Sequence, residues 1–385
     1  MRILTVDIGT GTQDILLYDS RLSVENSLKL IVPSPTMIIH HRLKQAARRG
    51  ESVVLTGVMM GGGPSQWAVE AHLKAGLTVY ATPDAARSFN DDLDEVANLG
   101  VQVIGDDEAC RLSPDVVRIE MLDFDFLAIQ GALEPFGVSL IGLDAVAVAV
   151  FDHGNAPRGY SDRQFRFDYL DERIRKENKL SAFAFRSGEV PEIMTRLRAV
   201  EHSALQVDAP LVVMDTAPAA VLGATFDAQV TEHERVMVVN IGNFHTLAFR
   251  LGPLGIEAVF EHHTGLLDLP RLESYLISLA QGSLQHEEVF LDHGHGALIY
   301  AHESLNLDVP GFNVAVTGPR RNLLHPSNSY RSLKPYFAVP FGDMMVAGCF
   351  GLLAAATDLL PEIGEELRSF LRGGSGEESA PWDIE

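Results

Sequence analysis

The sequence predicts an α/β protein of two domains with a ligand cleft between them, and three observations carry that reading. Apolar runs of strand length alternate with helical stretches along the chain. Several of those runs end in glycine beside an aspartate or asparagine, the position at which open α/β sheets bind ligands. One pattern, an apolar strand, a Gly-containing polar turn and a second apolar strand, occurs twice, near residues 3–19 and 236–249. At 385 residues and 46% hydrophobic content the chain can build two sizeable cores.

The bulk numbers exclude several function classes. A formal net charge of −22 argues against nucleic acid or an anionic membrane as partner. Two cysteines, Cys110 and Cys349, supply neither a disulfide scaffold nor a cysteine-only metal or cluster site. No apolar run approaches the ~20 residues that span a bilayer. The chain enters its first strand without a charged-then-apolar leader, so a soluble, cytoplasmic protein is expected. The polar stretch at 373–381 reads as a disordered tail.

The opening hairpin sets the chemistry. Gly9 and Gly11 permit close backbone approach, so several N–H groups can converge on one point. Thr10 and Thr12 add hydroxyls, and Asp7 brings a carboxylate to the end of the first strand. Amides that accept an anion, beside a carboxylate for Mg²⁺, are what a nucleotide phosphate chain needs.

The remaining elements follow in order. A helix is expected over 36–49, stopped by Gly50, then a buried strand at 52–56 and the glycine loop Gly61-Gly62-Gly63, read as substrate-facing. Ser65 is expected to cap a helix running to Gly76, with strands at 77–81 and 101–104 and a short helix at 92–99. The run 145–151 is a buried strand delivering Asp152-His153-Gly154 at its end. Residues 158–198 are helical and arginine-rich, with Asp162, Asp171 and Glu172 interleaved. That pattern reads as a solvated, salt-bridged face, with an anion pocket as the alternative. A strand at 210–215 ends in Asp215-Thr216 and leads into a small-residue helix. Later come the second hairpin, a strand closing at Gly318, and a small-residue helix after Gly342-Asp343.

Five of these stretches, in this order, resemble the nucleotide-binding signature of the superfamily of actin, the 70-kDa heat-shock chaperones, hexokinase and the sugar kinases. The first phosphate motif resembles Asp7-Ile8-Gly9-Thr10-Gly11-Thr12. The first connecting helix is similar to 215–223, the second phosphate motif to Asn240-Ile241-Gly242-Asn243-Phe244-His245-Thr246, the adenosine motif to 316–321, and the second connecting helix to 343–352. The chain also resembles a prokaryotic family whose label mentions a pyruvate formate-lyase activating enzyme. A radical enzyme of that kind needs a Cys-x-x-x-Cys-x-x-Cys cluster site, which Cys110 and Cys349 do not form.

The resemblance implies a two-domain actin-like (ribonuclease H-like) ATPase fold closing on ATP and Mg²⁺. It places a first domain at 1–224 with substrate-side insertions, a second at 225–342, and a C-terminal helix at 343–371 packing back on the first. Gly9, Thr10, Gly11 and Thr12 would cradle phosphates from one side and Gly242, Asn243 and His245 from the other, with Gly318 bordering adenosine and Asp7 holding the metal. Two positions depart from the family pattern. Asn240 stands where the second phosphate motif begins with aspartate, a weaker partner for Mg²⁺. Pro319 follows Gly318 where the family pairs glycines, and removes an N–H.

The resemblance makes Asp215 the base that takes the substrate hydroxyl proton, and Asp152 is the second candidate because it too closes an apolar strand. His293 and His295 have metal-ligand spacing, although surface histidines explain them without a metal. The segment Glu261-His262-His263 is expected near the terminal phosphate. The expected function is ATP-dependent phosphoryl transfer to a small hydroxylated or carboxylated metabolite. The alternatives are an ATP-gated regulatory or chaperone-like ATPase acting on a protein partner, and a non-catalytic binding member. A homo-oligomer is left open.

Overall fold

A computed structural model describes residues 1–371; the expected tail at 373–381 lies outside the described residues. Within them lie two six-stranded sheets and one four-stranded sheet. The first is ordered β3-β2-β1-β8-β10-β9 and the second β14-β13-β12-β11-β15-β16. Here β1 is Arg2–Ile8, β2 Thr12–Asp19, β3 Leu28–Pro33, β8 Ala145–Val150, β9 Ala184–Arg186 and β10 Leu211–Asp215. In the second sheet β11 is Val236–Ile241, β12 His245–Gly252, β13 Gly255–His263, β14 Gly296–Ile299, β15 Val314–Thr317 and β16 Pro335–Phe337.

The two sheets repeat one plan. An antiparallel meander (β1-β2-β3; β11-β12-β13) is extended by two strands parallel to its first member (β8 and β10; β15 and β16). This duplicated pair of mixed sheets is the actin-like architecture that the motifs imply. Each half also carries an edge strand, β9 or β14, paired antiparallel. The third sheet, β6-β5-β4-β7, is wholly parallel and falls between β3 and β8 in the chain. Its strands are β4 (Val53–Gly57), β5 (Val79–Ala81), β6 (Gln102–Val103) and β7 (Val117–Met121).

Side-chain size along β8 shows why the layers pack as they do. Val146, Val148 and Val150 face one core, while Ala145, Ala147 and Ala149 face another on the opposite side of the sheet. A parallel strand covered on both faces reads as a continuous apolar run, and the alanine face leaves room for a close helix. That helix is Ala347–Leu359, which packs on β1, β8 and β10 and also against helix Thr216–Ala224. The second helix in turn packs on β11 and β15 of the other sheet. At their crossing a Cβ on Gly223 would lie 1.7 Å from the Ala347 carbonyl, and one on Gly351 1.9 Å from that of Ala219. The small residues at 343–352 therefore serve a backbone-to-backbone contact between the halves.

Local expectations needed two corrections. The helix after the glycine loop starts at Gly63 with Pro64 in its first turn, and the Ser65 hydroxyl donates to the Gly62 carbonyl at 2.6 Å instead of capping. The stretch 158–198 is not one helical face: it holds helix Asp162–Lys176, a 3₁₀ turn, edge strand β9 and helix Thr195–Ser203. None of the described helices is long and apolar enough to cross a membrane.

Gly351→Ala is expected to cost ~1–3 kcal/mol by overpacking. Gly131→Ala, within helix Phe126–Leu133 and with open space around its Cβ position, should gain ~0.5–1 kcal/mol. Urea denaturation of the two variants reads both signs.

Candidate active site

Both hairpins open onto one cleft of about 1090 Å³, walled also by loops at 59–64, 87–92 and 152–163. The turns share a geometry: the Gly9 N–H donates to the Thr12 carbonyl at 2.9 Å, and the Gly242 N–H to the His245 carbonyl at 2.9 Å. Gly9, Thr10, Thr12, Gly242, Asn243, His245 and Gly318 line the cleft, as do Asp7 and Asp152. Gly11 does not line it and packs against the opposite hairpin, where a Cβ would lie 2.4 Å from Asn243 Nδ2. The hairpins thus meet tip to tip. Gly318 has φ +96° and lies so close to the second hairpin that a Cβ would sit 2.5 Å from Asn240 Oδ1.

Asp7 ends β1 on the face covered by helix Ala347–Leu359. Only a glycine at 348 permits this, since a Cβ there would overlap Asp7 Oδ2. The Thr216 hydroxyl donates to Asp7 Oδ1 at 2.5 Å. Asp14 stands directly across the ladder from Asp7, on the same face. Its Oδ1 is buried without a hydrogen-bond partner. Burial pushes the Asp7 carboxyl up to about 7, against the pull of the Thr216 hydrogen bond, and the charge of Asp215 adds to the rise. Burial and the charge of Asp7 push Asp14 up to about 8. Two facing carboxylates with a spare oxygen suit a hard divalent cation, which would draw both into the ionised form.

Asp215 is withdrawn from the cleft. Its Oδ2 accepts Arg166 Nη1 at 2.6 Å and its Oδ1 the Ala217 N–H at 3.1 Å. It caps the first connecting helix, pairs a buried guanidinium and is not among the residues that line the cleft. Asp152 borders the cleft but is similarly engaged: Oδ1 accepts the Gly154 N–H, and Oδ2 the N–H groups of Arg196 and Leu197 at the start of helix Thr195–Ser203.

Asp91, which the sequence expectations do not include, is a further carboxylate on the cleft wall. Asp92 caps helix Leu93–Asn98, whereas Asp91 lines the cleft with a buried, unpartnered Oδ1. Burial and the charges of Asp152 and Asp162, partly offset by Arg87, push it up to about 6. The signal available was the Asp91-Asp92 doublet before a short helix, which needs only one cap.

The arginine-rich segment also departs from expectation. Arg158 and Arg175 are solvated ion-pair partners, but Arg166 is fully buried and Arg196 largely so. Arg166 Nε reaches both oxygens of Glu261 on β13, at 3.0 and 2.8 Å, while Nη1 holds Asp215 and the Asp152 carbonyl. Burial opposes its charge, but Asp215 and Glu261 outweigh burial and keep it protonated. Burial pushes Glu261 up to about 7 against the pull of Arg166. Arg196 grips Asp123 through two bonds, at 2.7 and 2.9 Å.

Above this layer four histidines meet. His153 follows β8, His245 opens β12, His263 closes β13 opposite it, and His295 precedes β14. His153 Nε2 lies 3.3 Å from His295 Nε2, and the rings of His263 and His295 are 4.7 Å apart. His295 is fully buried, not a surface histidine, while His293, two residues before it with φ +67°, is exposed. Burial, aided by nearby cations, pushes His153 down to about 3; burial and neighbouring histidines push His263 to about 4. His245 and His295 are held well below the ordinary imidazole value for the same first reason. All four rings are neutral at pH 7 and offer nitrogen lone pairs. Their strand-end positions were readable, but not their convergence.

Arg166→Met leaves Asp215 and Glu261 buried without their cation, and should cost ~3–5 kcal/mol in chemical denaturation. Asp91 has a folded-state pKa above its unfolded value, so its contribution is present in full below the unfolded pKa and is lost as pH rises through about 6. Asp91→Asn should therefore lose less stability than the parent between pH 4 and 7, read from urea midpoints at each pH.

Comparison with solved structures finds distant likenesses that span nearly the whole chain. The activator of 2-hydroxyisocaproyl-CoA dehydratase from Clostridium difficile, solved with bound ADPNP, is 10% identical over 97% of this chain and 98% of its own, at a TM-score of 0.33. The ethanolamine utilization protein EutJ from Carboxydothermus hydrogenoformans is 12% identical over 91% and 89%, at 0.31. The Lmo2764 protein of Listeria monocytogenes is 10% identical over 97% and 100%, at 0.33. No curated protein matches the chain. One family model matches residues 60–323. The activity in its printed description finds no cysteine cluster here, since the two cysteines lie apart, Cys110 exposed and Cys349 buried within helix Ala347–Leu359. By that match the chain belongs to the family described as "Putative pyruvate format-lyase activating enzyme (DUF1786)".

Proposed function

We propose that the cleft binds ATP with Mg²⁺ and transfers its terminal phosphoryl group to a small hydroxylated or carboxylated metabolite. The observation that carries this reading is the duplicated hairpin: two turns of the same hydrogen-bonded geometry, touching at their tips, line one cavity from the two six-stranded sheets. In this reading Gly9, Thr10 and Thr12 hold phosphate oxygens from one side, Gly242 and Asn243 from the other, and Gly318 borders the base.

Asp7 and Asp14 would hold Mg²⁺, which supplies charge neutralisation for the phosphates. The spare buried oxygen of Asp14 fits that role and supports metal binding on the first hairpin, in keeping with the neutral Asn240 on the second. His245 is reassigned from the phosphate to the histidine cluster, because its ring stacks on Phe151 at 4.1 Å. Gly11 serves hairpin contact, not phosphate binding.

The metabolite end of the cleft holds the glycine loop at 61–63, Arg196 and Asp91. With Asp215 and Asp152 engaged, Asp91 is assigned as the proton acceptor. A carboxyl near pH 6 is ionised at neutral pH yet basic enough to assist a hydroxyl in the transition state.

Calorimetric titration with ATP-Mg²⁺, followed by ADP release across a metabolite panel, tests the reading. Binding is expected, with turnover stimulated by one class of metabolite; no binding at millimolar nucleotide overturns it. ADP release that no metabolite stimulates favours the ATP-gated ATPase instead. Asp7→Asn should weaken Mg²⁺-dependent binding about 10–100-fold. Asp91→Asn should slow turnover about 10²–10⁴-fold while leaving nucleotide affinity in place, and full activity in that variant removes the base assignment.

A further inference from the structure

The phosphate-transfer reading uses oxygen ligands and leaves without a task four clustered imidazoles, of which His295 is fully buried and the others half-buried. One ring nitrogen from each of His153, His245 and His295 lies within 4.8 Å of the others. His245 Nε2 is buried without a hydrogen-bond partner, and His295 Nδ1 has only Glu261 Oε1 facing it, which leaves His295 Nε2 as its nitrogen toward the cluster. Desolvating ring nitrogens without partners is costly, so a cluster of this kind needs an explanation that packing does not give.

From this arrangement we infer that His153, His245 and His295 form a binding site for one divalent first-row transition ion, of the zinc or ferrous class, clamped between the two halves of the molecule. The donor set selects the metal: neutral imidazoles suit zinc, iron, cobalt and nickel, whereas magnesium and calcium take oxygen. The spacing agrees. Two nitrogens each ~2.0–2.1 Å from one tetrahedral ion stand about 3.3–3.4 Å apart, and His153 Nε2 and His295 Nε2 are separated by 3.3 Å.

The surroundings are those of a prepared site. His295 Nδ1 is 3.5 Å from Glu261 Oε1, the carboxylate–histidine pairing that orients a ligand ring. Phe151 stacks on His245 with an interplanar angle of 8°, fixing that ring. The segment before β14 is pinned by its own bonds: the His295 N–H donates to the Glu261 carbonyl at 3.0 Å, and Arg163 donates to the Phe290 carbonyl at 3.1 Å. The neighbouring cations are each paired, Arg166 with Asp215 and Glu261 and Arg196 with Asp123, which moderates the repulsion they exert on an incoming ion.

Three protein ligands leave a fourth position open toward the cleft, where His153, His245, His263 and His295 all form wall. His153 belongs to the first half and the other two ligands to the second, so the ion ties the halves together beside the hairpins. It is separate from the Asp7–Asp14 pair and does not depend on nucleotide binding.

Cobalt titration of the full chain after chelator treatment, with no nucleotide present, tests the site. The expected result is one Co²⁺ per chain with a visible ligand-field band, displaced by Zn²⁺ and indifferent to millimolar Mg²⁺. His153→Gln, His245→Ala and His295→Ala should each weaken binding at least ~100-fold, and Glu261→Gln ~10–100-fold. His263→Ala should keep the stoichiometry. Circular dichroism of each metal-free variant separates lost ligation from lost folding, and His153→Gln, at a half-buried position, is the variant that keeps the test valid if the others misfold. The inference is overturned by a parent protein that binds no Co²⁺, or by folded ligand variants that bind as tightly as the parent.

Discussion

The interaction on which the rest depends is the buried ion triad at Arg166. Its guanidinium is fully buried and reaches Asp215 in the first sheet and Glu261 in the second. A charge there is tolerable only if every partner is in place, because an uncompensated buried ion costs several kcal/mol. The triad therefore specifies how the two halves sit. It also engages Asp215, holds the Asp152 carbonyl, and sets the carboxylate that stands behind His295. Two carboxylates share one cation, and burial, with a smaller contribution from the charge of Asp215, holds Glu261 high.

The second constraint is steric. The connecting helices cross so closely that glycine is required at 223 and 351, and glycine at 348 lets Asp7 lie against the start of the second helix. The cleft is thus built between two rigid contacts, the helix crossing below and the hairpin tips at Gly11 and Asn243 above. Between them lie groups of two chemistries. Oxygen donors gather on the first hairpin and nitrogen donors at the strand ends of β8, β12 and β13, and these suit different ions. The inserted parallel sheet adds the glycine loop and Asp91, and so supplies the metabolite end without disturbing the duplicated frame.

Local pattern carried much of this. Hairpins announce themselves through alternation and turn glycines, and the alanine-rich helices through composition, because these properties are set by neighbours in the chain. The valine–alanine alternation of β8 even encodes which face takes the close helix. What stayed hidden depends on distant partners. Arg166 sits among arginines of similar local setting, and nothing within its helix distinguishes it from Arg175, which is solvated. Its burial follows from Asp215 and Glu261 arriving from other strands. Asp215 was read as a base for the same reason: at the end of a strand it looks free until the guanidinium is placed against it.

The sequence by itself determined the duplicated strand–turn–strand plan, the small-residue connectors, the positions of Asp7 and of the turn glycines, and the absence of a cysteine cluster. Each of these is a matter of residue type and spacing. Only the tertiary structure decided which carboxylates are spent and which are spare, that Asp91 and Asp14 keep an unpartnered oxygen, and that histidines from 153 to 295 in the chain meet within 4.8 Å. Those outcomes depend on burial and on partners up to 142 residues away, and a carboxylate or imidazole acquires its chemistry from such surroundings more than from its sequence neighbours.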